Sequence, residues 1–171
     1  IRPLPSDSTT TRLPVSVEMK AGLPAADGTP MVGAPGRTEE ITLAEYRLHN
    51  QQALRFLMQI YQQEKEWQQA IATCRKLARA TGNVFDDVIA QYYCELAEQA
   101  VAAKDVSGAH GYIKQALAVD RQCVRASILL GRLEAMQGRH REAIKAWKRI
   151  EEQDAHHLGE VADEMAASFR A

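Results

Sequence analysis

Cysteine is scarce in this chain and never paired: Cys74, Cys94 and Cys123 are the only thiols in 171 residues, with no CxxC spacing. An odd, dispersed set argues against a disulfide framework, and each thiol falls near the apolar face of a predicted helix, where buried reduced cysteine is expected. Zinc needs about four donors converging at roughly 2.0–2.3 Å, and no HExxH or comparable cluster supplies them. His156-His157 is the one histidine pair. Adjacent helical residues point about 100° apart, so a capping or solvated role is expected there, and isolated His49, His110 and His140 read as surface residues. No GxSxG elbow offers a nucleophile and no GxxxxGK[ST] run cradles phosphate, so neither an enzyme nor a bound cofactor is expected. Apolar runs fall short of the roughly 18 residues a membrane span needs, and the first residues lack the basic region and apolar run of a signal peptide. The formal net charge is −1 and the pI about 6.6, leaving no global attraction to nucleic acid or an anionic membrane. With 46% hydrophobic and 25% charged residues the composition is ordinary globular, and the length suggests one domain of a soluble chain or fragment.

Proline is missing after Pro35. All six prolines lie between Pro3 and Pro35, among Gly22, Gly28, Gly33 and Gly36, so residues 1–40 cannot form a long helix. They read as an extended arm or linker, flexible or docked as a fused segment. Leu13, Val15, Val17 and Met19 contain an alternation suited to one short strand, and Asp27-Gly28 is a turn signal.

What the chain does have, over residues 41–171, is helical periodicity that repeats. Thr42-Leu43-Ala44-Glu45 is a capping box opening a helix to about Gln63. A partner spans Trp67 to about Thr81, with Gly82 as a left-handed stop. The segment from Asn83 to Asp87 forms a linker, with Asp86 or Asp87 capping a helix to about Ala103. Asp105 caps the next, Val106 to Val119. After Asp120 a helix extends to Gln137 and stops at Gly138, another runs from near His140 to Gln153, and 157–170 resembles the first helix of a fourth pair. Superposing the pairs puts Ala70, Ala109 and Ala143 at one position of the second helix, at intervals of 39 and 34 residues. A small residue there lets two helices cross closely. Around it, Leu54, Leu57 and Tyr61 should face Ala70, Cys74 and Leu77; Tyr93, Leu96, Ala97 and Ala100 should face Ala109, Ile113 and Ala116; Leu130 and Gly131 should face Ala143, Trp147 and Ile150. A period near 34 is that of the tetratricopeptide repeat, so the predicted fold is all-α: a solenoid of about three and a half antiparallel helix hairpins.

Several runs carry a more specific resemblance. Leu57-Met58-Gln59-Ile60-Tyr61-Gln62, Glu66-Trp67-Gln68-Gln69-Ala70-Ile71, Tyr92-Tyr93-Cys94-Glu95-Leu96-Ala97 and Arg125-Ala126-Ser127-Ile128, with Gly131-Arg132, Gly138 and Ala143, resemble the central repeats of the lipopolysaccharide assembly protein B family. The resemblance covers about residues 46–171, includes the longer linker between the first two units, and leaves the arm unexplained. It implies a scaffold on the cytoplasmic side of the bacterial inner membrane that presents the deacetylase LpxC to the membrane protease FtsH and so limits lipopolysaccharide synthesis. The family's N-terminal membrane helix and C-terminal pair of CxxC motifs have no counterpart here, as expected of a truncated segment.

In this architecture the first helix of each unit lines a concave face. Residues of that helix pointing away from the second are Gln52, Arg55, Gln59 and Gln62 in unit one, Gln91 and Glu98 in unit two, and Arg125 and Arg132 in unit three. Arg125 and Arg132 are seven apart, hence on one face, where two guanidiniums could grip the carboxylates or carbonyls of a client peptide or simply keep the groove soluble. Glu95 and Glu98 read as solvated helix charges. The third unit is locally basic without interleaved aromatics, which favours protein contacts over nucleic acid. Other readings are a secretion or pilus assembly adaptor of the same fold, a helical RNA-binding module, or a regulatory domain of an enzyme; homo-oligomers are also compatible.

Overall fold

In the computed structural model the described residues are 43–171, and among them the regular structure is entirely helical. The expected arm over 1–40, its strand and turn, and Thr42 of the capping box lie outside the described residues. By its contacts the chain divides after Gln52. Described by itself, Leu43–Gln52 is the opening half of helix α1 (Leu43–Gln63), exposed from Ala44 onward apart from half-buried Gln51.

The unit Ala53–Ala171 holds the rest of α1, then α2 (Trp67–Thr81), α3 (Asp86–Ala102), α4 (Val106–Val119), α5 (Val124–Met136), α6 (His140–Asp154), a 3₁₀ segment (Ala155–Val161) and α7 (Ala162–Arg170). Helices α3 and α4 pack as one hairpin, and α5 and α6 as the next. Helix α3 also touches α2 and α5, and α4 touches α5, so each of these elements is covered by its neighbours in sequence. That is the solenoid logic: no closed core, only nearest-neighbour burial.

The backbone repeats as faithfully as the alanines do. At each hairpin turn an amide bonds the carbonyl five residues back: Glu66 to Tyr61 at 2.8 Å, Asp105 to Ala100 at 2.8 Å, Arg139 to Glu134 at 3.0 Å. The residue before each of those amides is left-handed, Lys65 at φ 58°, Lys104 at φ 60° and Gly138 at φ 72°. This is the six-to-one bond of a Schellman turn, which satisfies carbonyls that a helix end would otherwise leave orphaned. Only the third unit uses glycine for it. Gly82, at φ 73°, ends α2 as expected by bonding the Ala78 carbonyl.

The packing register of the second hairpin is as expected, and in the third Gly131 lies against Trp147, but Leu130 packs on the cluster that holds Ala109 and Ile113 and not on the one that holds Ala143, Trp147 and Ile150. Ala70, Ala109 and Ala143 are fully buried, as are Ala97, Ile113, Ala116, Trp147 and Ile150. A side chain on Gly131 would lie 2.1 Å from the Trp147 indole nitrogen, so the closest approach in the third hairpin is backbone against ring. Positions matched by the 39- and 34-residue intervals hold Met58, Ala97 and Gly131 on the first helix and Cys74, Ile113 and Trp147 on the second. Size lost on one helix is regained on the other.

Several expectations are corrected. Leu57 does not face α2: it is 41% exposed, while the α1 side chains packed on the core are Met58 and Tyr61, on the helical stripe that includes half-buried Leu54. Leu57 lies about 100° off that stripe. Neither Asp86 nor Asp87 caps α3; Phe85 holds that position without a side-chain bond, and both carboxylates sit in the first turn, where they complement the helix dipole. Helix α5 starts at Val124, because Asp120 instead closes a tight turn on the Gln122 amide. The segment 157–170 is not one α-helix: a 3₁₀ turn capped by Asp154 precedes α7. Asp105 does cap α4, accepting from the Gly108 amide at 2.8 Å.

Candidate protein-binding groove

Stacking α3 beside α5 brings matched positions of successive repeats together on one face. Gln91 and Arg125 are 34 residues apart, as are Glu98 and Arg132, and all four line one open groove of about 540 Å³. Its walls are completed by Asp120, Gln122 and Cys123 from the turn before α5, by Val124, Ile128 and Leu129 on α5, and by His157 and Glu160 from the 3₁₀ segment. Arg55, Gln59 and Gln62 are exposed on α1 and do not line this groove, and Gln52 falls in the other unit.

The two arginines are already engaged. Arg125 bonds Glu95 at 2.7 Å and Glu98 at 2.8 Å, and reaches Gln91 at 3.5 Å. Burial opposes its charge, but the bonds from Glu98 and Glu95 more than offset that and raise its pKa. Arg132 is clamped by both carboxylate oxygens of Glu164 on α7, at 2.9–3.1 Å, which likewise raises its pKa. Glu95 and Glu98 are therefore not simply solvated: each takes one nitrogen of the Arg125 guanidinium, while Arg132 meets both oxygens of one carboxylate, the two-bond geometry in which a guanidinium pairs best. Of the carboxylates lining the groove, Glu98 is engaged by Arg125, Glu160 by His157 and Asp120 by the Gln122 amide; with Glu95 and Glu164 added, carboxylates outnumber guanidiniums around it, so the groove is acidic in balance.

The histidines also differ from expectation. His157 pairs with Glu160 at 2.6 Å, which raises its pKa, and with Asp154 at 3.7 Å. His110 meets Glu134 at 3.0 Å and His140 meets Ser168 at 3.3 Å, so neither is an isolated surface group. Glu134 is a buried carboxylate, with Arg139 and His110 as its charge partners, and this links α4, α5 and the turn into α6. The three thiols are buried and free, as expected. Among the described residues no three His, Cys, Asp or Glu converge as metal ligands, and no helix is long and apolar enough to cross a membrane.

Sequence reasoning missed Glu164 and the groove walls formed by the turn before α5 and by the 3₁₀ segment. The spacing of 34 between Gln91 and Arg125 was a usable signal, since equal template positions become neighbours in a stacked array. The contact of α5 with α7 depends on a 3₁₀ turn that periodicity does not announce.

Two relatives have the same spread of similarity. Lipopolysaccharide assembly protein B of Escherichia coli strain K12 is 32% identical over 118 residues, covering 69% of this chain and 30% of that protein. The protein of the same name from Haemophilus influenzae is 34% identical over 109 residues, covering 64% of this chain and 27% of its own length. Over roughly two thirds of its length the chain is similar to part of lipopolysaccharide assembly protein B. The chain thus spans about 30% of the length of these curated relatives. No family model matches the chain. Among solved structures, the Arabidopsis OM64 TPR domain aligns at a TM-score of 0.43 and 17% identity, over 69% of this chain and 94% of that one. A complex of the yeast Sti1 TPR2B domain with an Hsp70 peptide aligns at 0.44 and 17%, over 71% and 94%.

Proposed function

We propose that this chain is a non-catalytic protein-interaction scaffold that works without a cofactor, and that the groove between α3 and α5 receives a client segment. The observation that carries the reading is the ladder of matched positions, Gln91, Glu98, Arg125 and Arg132, held rigid by internal ion pairs along an open face. Side chains ordered before binding lose less entropy on contact, which favours recognition of an extended or helical peptide. Because carboxylates outnumber guanidiniums around the groove, the client chemistry that fits is cationic side chains and backbone amides that add to the bonds already made by Glu98, Asp120 and Glu160. The similarity to lipopolysaccharide assembly protein B supports a role in regulating lipopolysaccharide synthesis, with LpxC as client, FtsH as the protease that receives it, and the whole protein tethered at the cytoplasmic face of the inner membrane. The test is calorimetric titration of purified LpxC into the chain, with Glu98→Lys and Glu160→Lys combined. Reversing these two groove charges should weaken binding by about tenfold, roughly 1.4 kcal/mol, whereas Glu98→Gln with Glu160→Gln, which removes the same internal partners of Arg125 and His157 without adding positive charge, should weaken it less while lowering the melting temperature by a similar amount. Equal affinity for the variant would remove the groove assignment, and no heat of binding from wild type would remove LpxC.

A further inference from the structure

Cys94 and Cys123 come from different repeats and lie against one another. Their sulfurs are 3.8 Å apart, Cys94 in the middle of α3 and Cys123 at the residue before α5. Cys94 is fully buried, and Cys123, 3% exposed, lines the groove, so a small solute reaches the second thiol first. Cys123 also occupies the N-terminal end of a 13-residue helix, where free amides favour an anion. The Gln91 side-chain amide approaches its sulfur at 3.9 Å. The third thiol, Cys74, is on α2, outside this pair.

We propose that Cys94 and Cys123 form an oxidisable dithiol that a hydroperoxide closes to a reversible disulfide, tying α3 to the start of α5 and so locking one repeat to the next. The roles of the two sulfurs differ. With Cys94 as donor, the bond to its sulfur, against the cost of burial and with help from the Ala126 amide, holds the Cys123 thiol below its ordinary value and favours the thiolate there. Donating that bond, and being buried, pushes the Cys94 thiol up and keeps it protonated. The Cys123 thiolate attacks one peroxide oxygen; the O–O bond breaks, hydroxide leaves, and Cys123 becomes a sulfenic acid. The Cys94 sulfur then attacks that sulfur; the S–O bond breaks and water departs with the Cys94 proton. In sum two thiols lose two hydrogens and one peroxide becomes two waters.

The experiment treats the full chain with hydrogen peroxide under native conditions, then unfolds it, alkylates free thiols and maps the peptides. The expected product is a Cys94–Cys123 cross-linked peptide with Cys74 still alkylated, reversed by dithiothreitol. Because the bond joins residues 29 apart, oxidation should also raise the melting temperature by on the order of 10 °C. Cys94→Ala and Cys123→Ala should each abolish both effects, and Cys74→Ala neither. The mapping needs no variant, so it decides the matter even if one folds poorly. Sulfinic or sulfonic acid on Cys123 without a cross-link, a cross-link between chains, or unmodified thiols at a dose that fully oxidises glutathione would each overturn the proposal.

Discussion

The first and third hairpins fill the same template in opposite ways. Where the third sets Gly131 under a fully buried Trp147, the first sets Met58 on α1 and Cys74 on α2 at the matching positions. The template position of a groove arginine changes as well: Gln59, exposed and outside the groove, matches Arg132 in the third repeat, which is held in an ion pair. What recurs, then, is a backbone register and a summed volume, while individual side chains drift. Close-packed interiors permit that drift only when neighbours compensate.

The comparison is broken most severely at its largest side chain. Trp147→Ala should cost about 4 kcal/mol, whereas Cys74→Ala, at the equivalent position, should cost about 1 kcal/mol, both read by urea unfolding. Equal costs would mean that the two sites do not share a packing role. Next comes Gly131→Ala, whose added carbon meets a buried ring with no room to swing, for about 3 kcal/mol. Combining it with Trp147→Ile installs the second hairpin's Ala97–Ile113 pair in the third. That double variant should be more stable than the sum of its single effects by more than about 1 kcal/mol. Strict additivity would refute volume compensation.

These residues also show what could be read from the sequence. The helical fold, the alanine register, the Gly82 and Gly138 stops and the Asp105 cap all rest on local rules: periodicity, small residues at crossings, and left-handed glycine. Lys65 and Lys104 were invisible to the same rules, because their turns take the Gly138 conformation without its residue. The exposure of Leu57 and the clamp of Glu164 on Arg132 depend on neighbouring elements that no local pattern specifies. In the groove, spacing placed Gln91, Glu98, Arg125 and Arg132 together, but it could not tell a free guanidinium from one already paired.

The three turns sharpen the comparison at smaller scale. Gly138→Ala forces a Cβ into left-handed space and should cost about 1 kcal/mol. Lys104→Gly should have the opposite sign, gaining up to about 1 kcal/mol as strain is relieved, less the entropy that glycine adds to the unfolded chain. If both substitutions destabilise, the shared turn conformation is not what sets their energies.

The smallest effect distinguishes the charged end of the groove from the exposed α1 surface outside it. His157 is half-buried, and its bond to Glu160 raises its pKa above the ordinary imidazole value of about 6.5. A group whose folded pKa is raised stabilises fully below its unfolded value and loses that contribution as pH climbs through the folded one. The melting temperature of wild type should therefore exceed that of His157→Gln at pH 5.5, and the gap should close by about pH 8. Gln59→Ala, a neutral change in the first unit, should produce a difference that does not vary over the same range. A pH-independent gap for His157→Gln would mean that the imidazole acts there by packing alone, and the ionic character assigned to this end of the groove would then rest on Arg132 and Glu164.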